Sequence, residues 1–168
     1  LNLFDELACH ASGAGDLDQV EVETILGATT VELTPYIDQA EEGFYGGSST
    51  DDLETLLQLF HLYLDEPRVD PVALQGVQRD YGPIVEDPLS DPDWAPFVAL
   101  SDARYGGARR NAYLPTPEEL GAADVASVER VWRSRFSNAS DWVVVLSGDF
   151  DRETATDLVR RYIGTLDG

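Results

Sequence analysis

The chain contains no lysine and no methionine, and it has one cysteine among its 168 residues. A single cysteine, Cys9, cannot form an internal disulfide, so no cross-link stabilises the fold and cysteine usage indicates no redox compartment. The 11 basic residues, all arginines, are outnumbered by 32 acidic residues, and the net charge is −21. Nucleic-acid binding is therefore excluded as a function class, because a surface of this charge repels a polyanion.

Long apolar stretches are also missing. No segment approaches the roughly 20 apolar residues of a membrane-spanning helix, and no basic segment followed by an apolar one marks a signal peptide. A length of 168 residues with 43% hydrophobic composition suits one domain with a sizeable core, so we predict a single domain over residues 1–168. Because the sequence starts at Leu1 and lacks methionine, we expect a fragment or processed piece of a longer chain.

Hydrophobic periodicity predicts helices along most of the chain. The strongest pattern is a central helix over residues 53–65, with Asp51 or Asp52 as its cap and Pro67 beyond its end. Other helices are predicted to end at Gly27 in a left-handed conformation, to break at Gly82–Pro83, and to close at Gly106. Further helices are predicted from the start signals at residues 16–18, 71, 116–124 and 151.

Strand patterns occur in three places. Residues 29–38 alternate apolar and polar side chains, and the glycine-rich residues 43–49 can return antiparallel to them as a hairpin. The apolar, mostly β-branched residues 142–146 are typical of an interior strand covered by helices. Together these elements predict an α+β fold, a two-layer sandwich in which helices cover one face of a mixed, mostly antiparallel sheet.

Few residues suit catalysis or metal binding. The two histidines, His10 and His61, lie far apart in sequence, and a zinc site needs three or four converging ligands. His61 falls within the apolar central helix, where a packed, structural histidine is the better interpretation. Cys9 and His10 are adjacent, which on a helix separates a thiolate from its base. Residues 43–49 lack the lysine of a phosphate-binding loop, and residues 87–93 lack the glycine and glutamate of a calcium loop.

Three segments nevertheless form an ordered set of motifs. They are Asp-Asp-Leu followed by a proline-terminated helix in residues 51–71, Arg-Tyr-Gly leading to Leu-Pro-Thr in residues 104–116, and Arg-Phe, a strand pattern and Gly-Asp-Phe-Asp in residues 135–151. The closing helix, residues 158–166, extends the match. In this order the segments resemble the insulinase/pitrilysin family of zinc metallopeptidases, over roughly residues 16–166.

The resemblance implies no zinc ligand in this chain. Family members carry an inverted motif, H-x-x-E-H, whose histidines bind zinc and whose glutamate is the general base. The nearest stretch, residues 6–10, matches only at His10, with Glu6 at the first histidine position and Cys9 at the base position. In the helix that would carry the distant ligand, Gly82–Pro83 is expected to break the turn. The resemblance therefore implies no catalytic residue and no metal or cofactor here, with zinc expected in a catalytic partner domain.

The implied function is that of a non-catalytic domain, which packs with a catalytic insulinase-type domain of the same or another chain to enclose a peptide substrate. Arg104 and Tyr105, in a glycine-bounded segment, are the candidate peptide-contacting residues, although a solvated loop is the alternative interpretation. Two other functions stay open: a structural assembly subunit without peptide contact, and a hydrolase that uses other residues. Localisation is left unknown.

The predicted sheet has an open edge. Family domains open with two strands before the first helix, and here the sequence begins within that helix. We therefore expect the edge either to pair with a second copy as a homodimer, or to be completed by upstream strands of a longer polypeptide.

Overall fold

The computed structural model describes residues 7–38, 41–107 and 114–168, and it has an α+β fold. Residues 7–10 are helical and precede the elements α1 (Gln19–Leu26), β1 (Glu32–Ile37), β2 (Glu42–Gly47), α2 (Leu53–Asp65), α3 (Pro71–Glu86), α4 (Ala95–Tyr105), α5 (Pro117–Gly121), α6 (Val125–Phe136) and α7 (Arg152–Tyr162). Strands β1 and β2 form an antiparallel pair in which Pro35 lies opposite Phe44, which confirms the predicted hairpin. The sequence also predicts an irregular stretch over residues 109–117, part of which lies outside the described residues.

One face of the hairpin packs on the helices through Phe44. Its ring lies 5.1 Å from that of Phe60 on α2 and 5.2 Å from that of Phe136 on α6, measured between centroids. The rings of Trp132 and Trp142 complete the cluster, and the centroid of each lies 6.1 Å from that of Phe44. Edge-on and tilted aromatic pairs at these distances add stability beyond the burial of their area, so this aromatic cluster joins the sheet to α2 and α6.

The end of α2 depends on a donor from α6. In a helix the carbonyl of Tyr63 would accept the N–H of residue 67, but that residue is Pro67 and has no N–H. The indole Nε1–H of Trp132 donates to this carbonyl oxygen at 3.0 Å. Trp132 is only 1% exposed, and the same bond also gives its buried indole N–H an acceptor.

Acidic and hydroxyl side chains cap several helices as the sequence predicts. Capping boxes, in which cap and third residue exchange hydrogen bonds, begin α1 at Asp18, α5 at Thr116 and α6 at Asp124. Asp70 and Asp151 cap α3 and α7 through their carboxylates. The sequence also predicts one long helix beyond the start signals at residues 116–124, but both signals are used, and residues 117–136 form two helices.

Asp52 directly precedes α2, but contrary to prediction its side chain forms no capping hydrogen bond with the helix. Its carboxylate Oδ2 instead accepts the backbone N–H of Thr30 at 2.9 Å, and the hydroxyls of Thr30 and Ser49 at 2.8 Å each. Thr30 lies just before β1 and Ser49 just after β2. Asp52 therefore joins the open end of the hairpin to the start of α2.

A second, smaller core lies between α3, α4 and α5. Buried Val85, Leu114 and Leu120 form it, and Tyr81 and Trp94 pack against them. This core explains why α3 continues through Pro83, where the sequence predicts a break. Residues on both sides of the proline are held in one apolar cluster, which offsets the lost backbone hydrogen bond.

The backbone conformation tests two other predictions, those for the helix ends at Gly27 and Gly106. Gly27 follows α1 with φ −61°, a right-handed conformation that corrects the prediction, and its N–H donates to the carbonyl of Glu23. The chain then turns through a bond from the N–H of Thr29 to the carbonyl of Leu26, so no left-handed residue is needed. Gly106, in contrast, closes α4 as predicted with φ +61°, where glycine avoids the strain of a side chain.

Replacing Trp132 tests the donor at the end of α2. Trp132→Phe keeps an aromatic ring but leaves the buried Tyr63 carbonyl without its donor, which should lower the free energy of unfolding by about 2 kcal/mol. Urea denaturation measures the loss. Trp94→Phe, in the smaller core, is the control and should cost clearly less; equal costs for the two would contradict this role of the indole.

The pH dependence of stability tests Asp52. Its hydrogen bonds, first that from the Thr30 N–H and then those from the Ser49 and Thr30 hydroxyls, hold the pKa of its carboxyl below the ordinary 3.8. The unfolded chain therefore binds the proton more tightly, and the stabilisation present above pH 3.8 is lost as the pH falls through the folded-state pKa.

Asp52→Asn should accordingly unfold at a lower temperature at neutral pH and lose less stability on acidification than the natural chain. Thermal unfolding between pH 7 and the acid range gives both values. Asp51→Asn removes the same charge at the neighbouring exposed position; if it changes the acid dependence as much as Asp52→Asn, the cause is net charge and not these hydrogen bonds.

Candidate functional site

Residues 142–146 do not form the predicted interior strand. They carry no strand pairing, and Val143, Val144 and Val145 are exposed to 86%, 41% and 79%. The β-branched side chains suit a sheet, but the described residues include no neighbouring strand for them. Within residues 142–146, only Trp142 packs against the larger hydrophobic core, through ring contacts with Phe44 and Phe60.

An open groove lies between this segment and β2. Its main cavity has a volume of about 530 Å³, with β2 and residues 142–146 as walls and Leu56, Leu57 and Phe60 of α2 among its apolar lining. A smaller cavity of about 160 Å³ continues between residues 46–50 and residues 145–150. We call this combined space the β2 groove.

Apolar side chains of α2 form the floor of the β2 groove, and acidic residues lie at its ends. Glu41 and Glu42 lie at one end, where Glu42 contacts Arg135 at 3.5 Å, and Asp149 lies at the other. The Thr50 hydroxyl donates to the Asp149 carbonyl oxygen at 3.0 Å and joins the two walls there.

The two histidines occupy separate and structural positions. The Nδ1 of His61 lies 2.7 Å from the carbonyl oxygen of Tyr162, to which it donates, so this histidine holds the end of α7 on α2. Glu54 of α2 strengthens the same contact by accepting the Tyr162 hydroxyl at 2.8 Å and pairing with Arg161 at 2.9 Å. His61 is therefore hydrogen-bonded within the fold, and its structural role stays a prediction.

His10 lies against Tyr63, with its Nδ1 3.5 Å from the tyrosine oxygen. Burial lowers the pKa of His10 and raises the pKa of Tyr63 to about 12, the latter with a smaller contribution from nearby Cys9. Cys9 is 2% exposed. Both shifts favour the neutral forms of His10 and Tyr63 at neutral pH.

No cluster of three or more metal-binding side chains occurs within residues 7–38, 41–107 and 114–168. Residues 6–10 would align with the zinc motif, and Glu6, the first of them, lies outside the described residues. On α3, the helix compared with that of the distant ligand, the Gln78 amide donates to the carbonyl oxygens of Leu120 and Ala123. This part of α3 therefore binds α5.

The candidate peptide-contacting residues Arg104 and Tyr105 lie at the end of α4, before Gly106. The Arg104 guanidinium stands 5.1 Å from the centroid of the Tyr105 ring, a cation–π contact. Arg104 is exposed and Tyr105 is half-buried. Both are available to a partner, and their peptide-contacting role stays a prediction.

Comparisons with known proteins show what this arrangement resembles. No family model matches the chain. It is 22% identical over 156 residues to the probable zinc protease PqqL of Haemophilus influenzae, a match that covers 93% of this chain and 16% of that protein. The chain resembles an insulinase/pitrilysin-type zinc peptidase domain.

Solved structures give the same fold. The periplasmic protease PqqL of Escherichia coli matches with a TM-score of 0.80 at 17% identity, over 99% of this chain and 18% of that one. The ferredoxin protease FusC, solved as a point mutant in complex with Arabidopsis ferredoxin, matches with a TM-score of 0.75 at 14% identity, again over 99% and 18%. This insulinase-like chain thus spans less than a fifth of the length of these relatives.

A search of the described residues finds no helix with the length and apolarity needed to cross a membrane. This result agrees with the absence of long apolar runs from the sequence.

The exposure of the valine segment can be tested directly. Replacing Val143 and Val145 together by threonine should change the free energy of unfolding by no more than about 0.5 kcal/mol, because both side chains already contact solvent. Val128→Thr, at a position with 0% exposure, is the matched control and should cost about 1–3 kcal/mol by burying a hydroxyl. A large loss from the double variant would show that residues 142–146 are interior after all.

Proposed function

We propose that this chain is a non-catalytic domain of a zinc-dependent metallopeptidase, which packs with a catalytic insulinase-type domain to enclose and bind peptide substrate. The zinc belongs to the catalytic partner domain, in the same or another chain. The observation that carries the proposal is the fold shared with PqqL over 99% of the chain. The whole of residues 1–168 acts as one such domain.

The composition supports the non-catalytic role. The inverted zinc motif needs two histidines, and the only two in this sequence, His10 and His61, are too far apart to supply it. In the structure both are engaged in packing contacts with tyrosines. These contacts support the proposal that neither histidine binds zinc in this chain.

The charge supports a preference among substrates. With a net charge of −21, the chain attracts basic peptides over long distances and repels acidic ones. Arg104 is one of several exposed arginines, and its position beside Tyr105 suits the carboxylate of a peptide C-terminus. A purely structural subunit of a hetero-oligomer is the second candidate, and it would bind no peptide.

The first test is turnover of a mixed quenched-fluorescent peptide library by the purified chain, with zinc and then with chelator. No cleavage above the blank is expected in either condition, because the ligand set and the general base are missing. Chelator-sensitive cleavage that is lost in His10→Ala would overturn the non-catalytic assignment.

A binding assay separates the two candidates. Fluorescence anisotropy with labelled basic peptides that have a free C-terminus should show binding without cleavage, and Arg104→Ala should weaken it about three- to tenfold. Arg79→Ala, at an exposed position on α3 where the arginine pairs with Asp80, removes the same charge and should have little effect. Absence of any peptide binding would favour the structural subunit.

A further inference from the structure

The hairpin has a second face, which points away from the helices. In an antiparallel pair, residues directly opposite each other point to the same face, and side chains alternate along each strand. The register therefore places Tyr36 and Tyr45 on this outer face, together with Thr34 opposite Tyr45. The burial of β1 agrees with this assignment, because every second residue of the strand is buried against the helices and the residues between are not.

The two tyrosines of the outer face lie against each other. Their ring centroids are 6.2 Å apart, and the rings are tilted by 39°. Tyr36 lies across the backbone of Gly43, because a Cβ at that glycine would stand only 2.9 Å from the Tyr36 hydroxyl oxygen. Tyr45 is nevertheless 64% exposed. A tyrosine ring offers a large contact area with few rotatable bonds, so an exposed ring fixed beside a neighbour suits a binding surface.

Beside Tyr45 the outer face is open. Gly47 is the next residue of β2 on this face, and within the described part of the chain a Cβ there would have no heavy atom within 4 Å beyond its chain neighbours. Glu32 lies opposite Gly47 and is exposed. Glu32 and Tyr45 are diagonal neighbours across the strands, and such residues are about 7–8 Å apart. The space over Gly47 therefore lies between an aromatic ring and a carboxylate.

The charge at this end of the hairpin favours a cation. Within residues 7–38, 41–107 and 114–168, no arginine pairs with Glu32. Asp52 adds a second carboxylate at the same end, where it binds Thr30 and Ser49. A guanidinium satisfies ring and carboxylate together, because its plane stacks on a tyrosine and its N–H groups donate to a carboxylate. The net charge of −21 attracts such a cation from a distance.

We propose that the outer face of the hairpin binds an arginine side chain of a peptide, with the guanidinium over Gly47, stacked on Tyr45 and paired with Glu32. The proposal rests on the peptide binding proposed above and names a side chain that the peptide supplies. Arg104 on α4 is proposed to bind the C-terminal carboxylate of a peptide, so a peptide with an amidated C-terminus tests the hairpin alone.

The test is an NMR titration of the purified chain with the acetylated and amidated peptide Ala-Ser-Arg-Ser-Ala. The backbone amide signals of residues 32, 45 and 47 should shift at millimolar peptide. Citrulline in place of arginine keeps the planar group but removes its charge, and it should weaken binding about tenfold. Lysine should bind more weakly than arginine, because an ammonium has no plane to stack on the ring.

Two pairs of variants test the ring and the carboxylate. Tyr45→Leu and Glu32→Gln should each weaken binding about two- to fivefold, since each removes one contact of an exposed guanidinium. Phe97→Leu is the matched control for the ring, because Phe97 is 53% exposed and lies on α4. Glu86→Gln, at an exposed position at the end of α3, is the control for the charge. Neither control should change the affinity.

Gly47→Val tests the space itself. The added side chain enters open space on a strand, so the melting temperature should not fall, but it occupies the position of the guanidinium and should abolish binding. Equal binding of the citrulline peptide, or unchanged affinity in Tyr45→Leu and Gly47→Val, would overturn this proposal and leave peptide binding through Arg104 intact. If no peptide binds, whether amidated or with a free C-terminus, both this proposal and the proposed peptide binding are wrong.

Discussion

The hairpin is ordered because one of its faces is held against α2 and α6 by the aromatic cluster around Phe44. Two antiparallel strands alone are marginally stable in water, and this pair has glycines at three of the six positions of β2. The cluster contributes ring contacts from both helices, and Asp52 fixes the open end of the hairpin by three hydrogen bonds. Every other feature of the β2 groove, including the position of its walls, depends on this attachment.

Helix starts and the hairpin could be predicted from sequence because their causes are local. Asp18, Asp124 and Asp151 bind backbone groups within three residues, so the side chain alone signals the structure. The failures have non-local causes. Pro83 stays helical because a separate core surrounds it, and Val143, Val144 and Val145 are exposed because a strand pattern cannot form a strand without a neighbour. The role of Trp132 is not predicted either, although its signal is present: a proline placed four residues after Tyr63 leaves a carbonyl that needs a distant donor.

The candidate site likewise combines a feature that the sequence predicts with one that it does not predict. The lack of a zinc motif is a property of the sequence, since two histidines so far apart cannot supply one turn of a helix. The β2 groove could not be predicted, because it is formed by segments nearly a hundred residues apart and by the space between them. PqqL and FusC share the fold of this chain, and fold alone does not define what the groove does.

The bond from Trp132 to the Tyr63 carbonyl also has a consequence for the order of folding. Local contacts can form most of α2 early, but its last turn keeps an unsatisfied carbonyl until α6 has docked from far along the chain. Neither helix reaches its final stability without the other. Separation of α6 would leave both an indole and a carbonyl without their partners, so α2 and α6 open together as one cooperative unit rather than fraying independently.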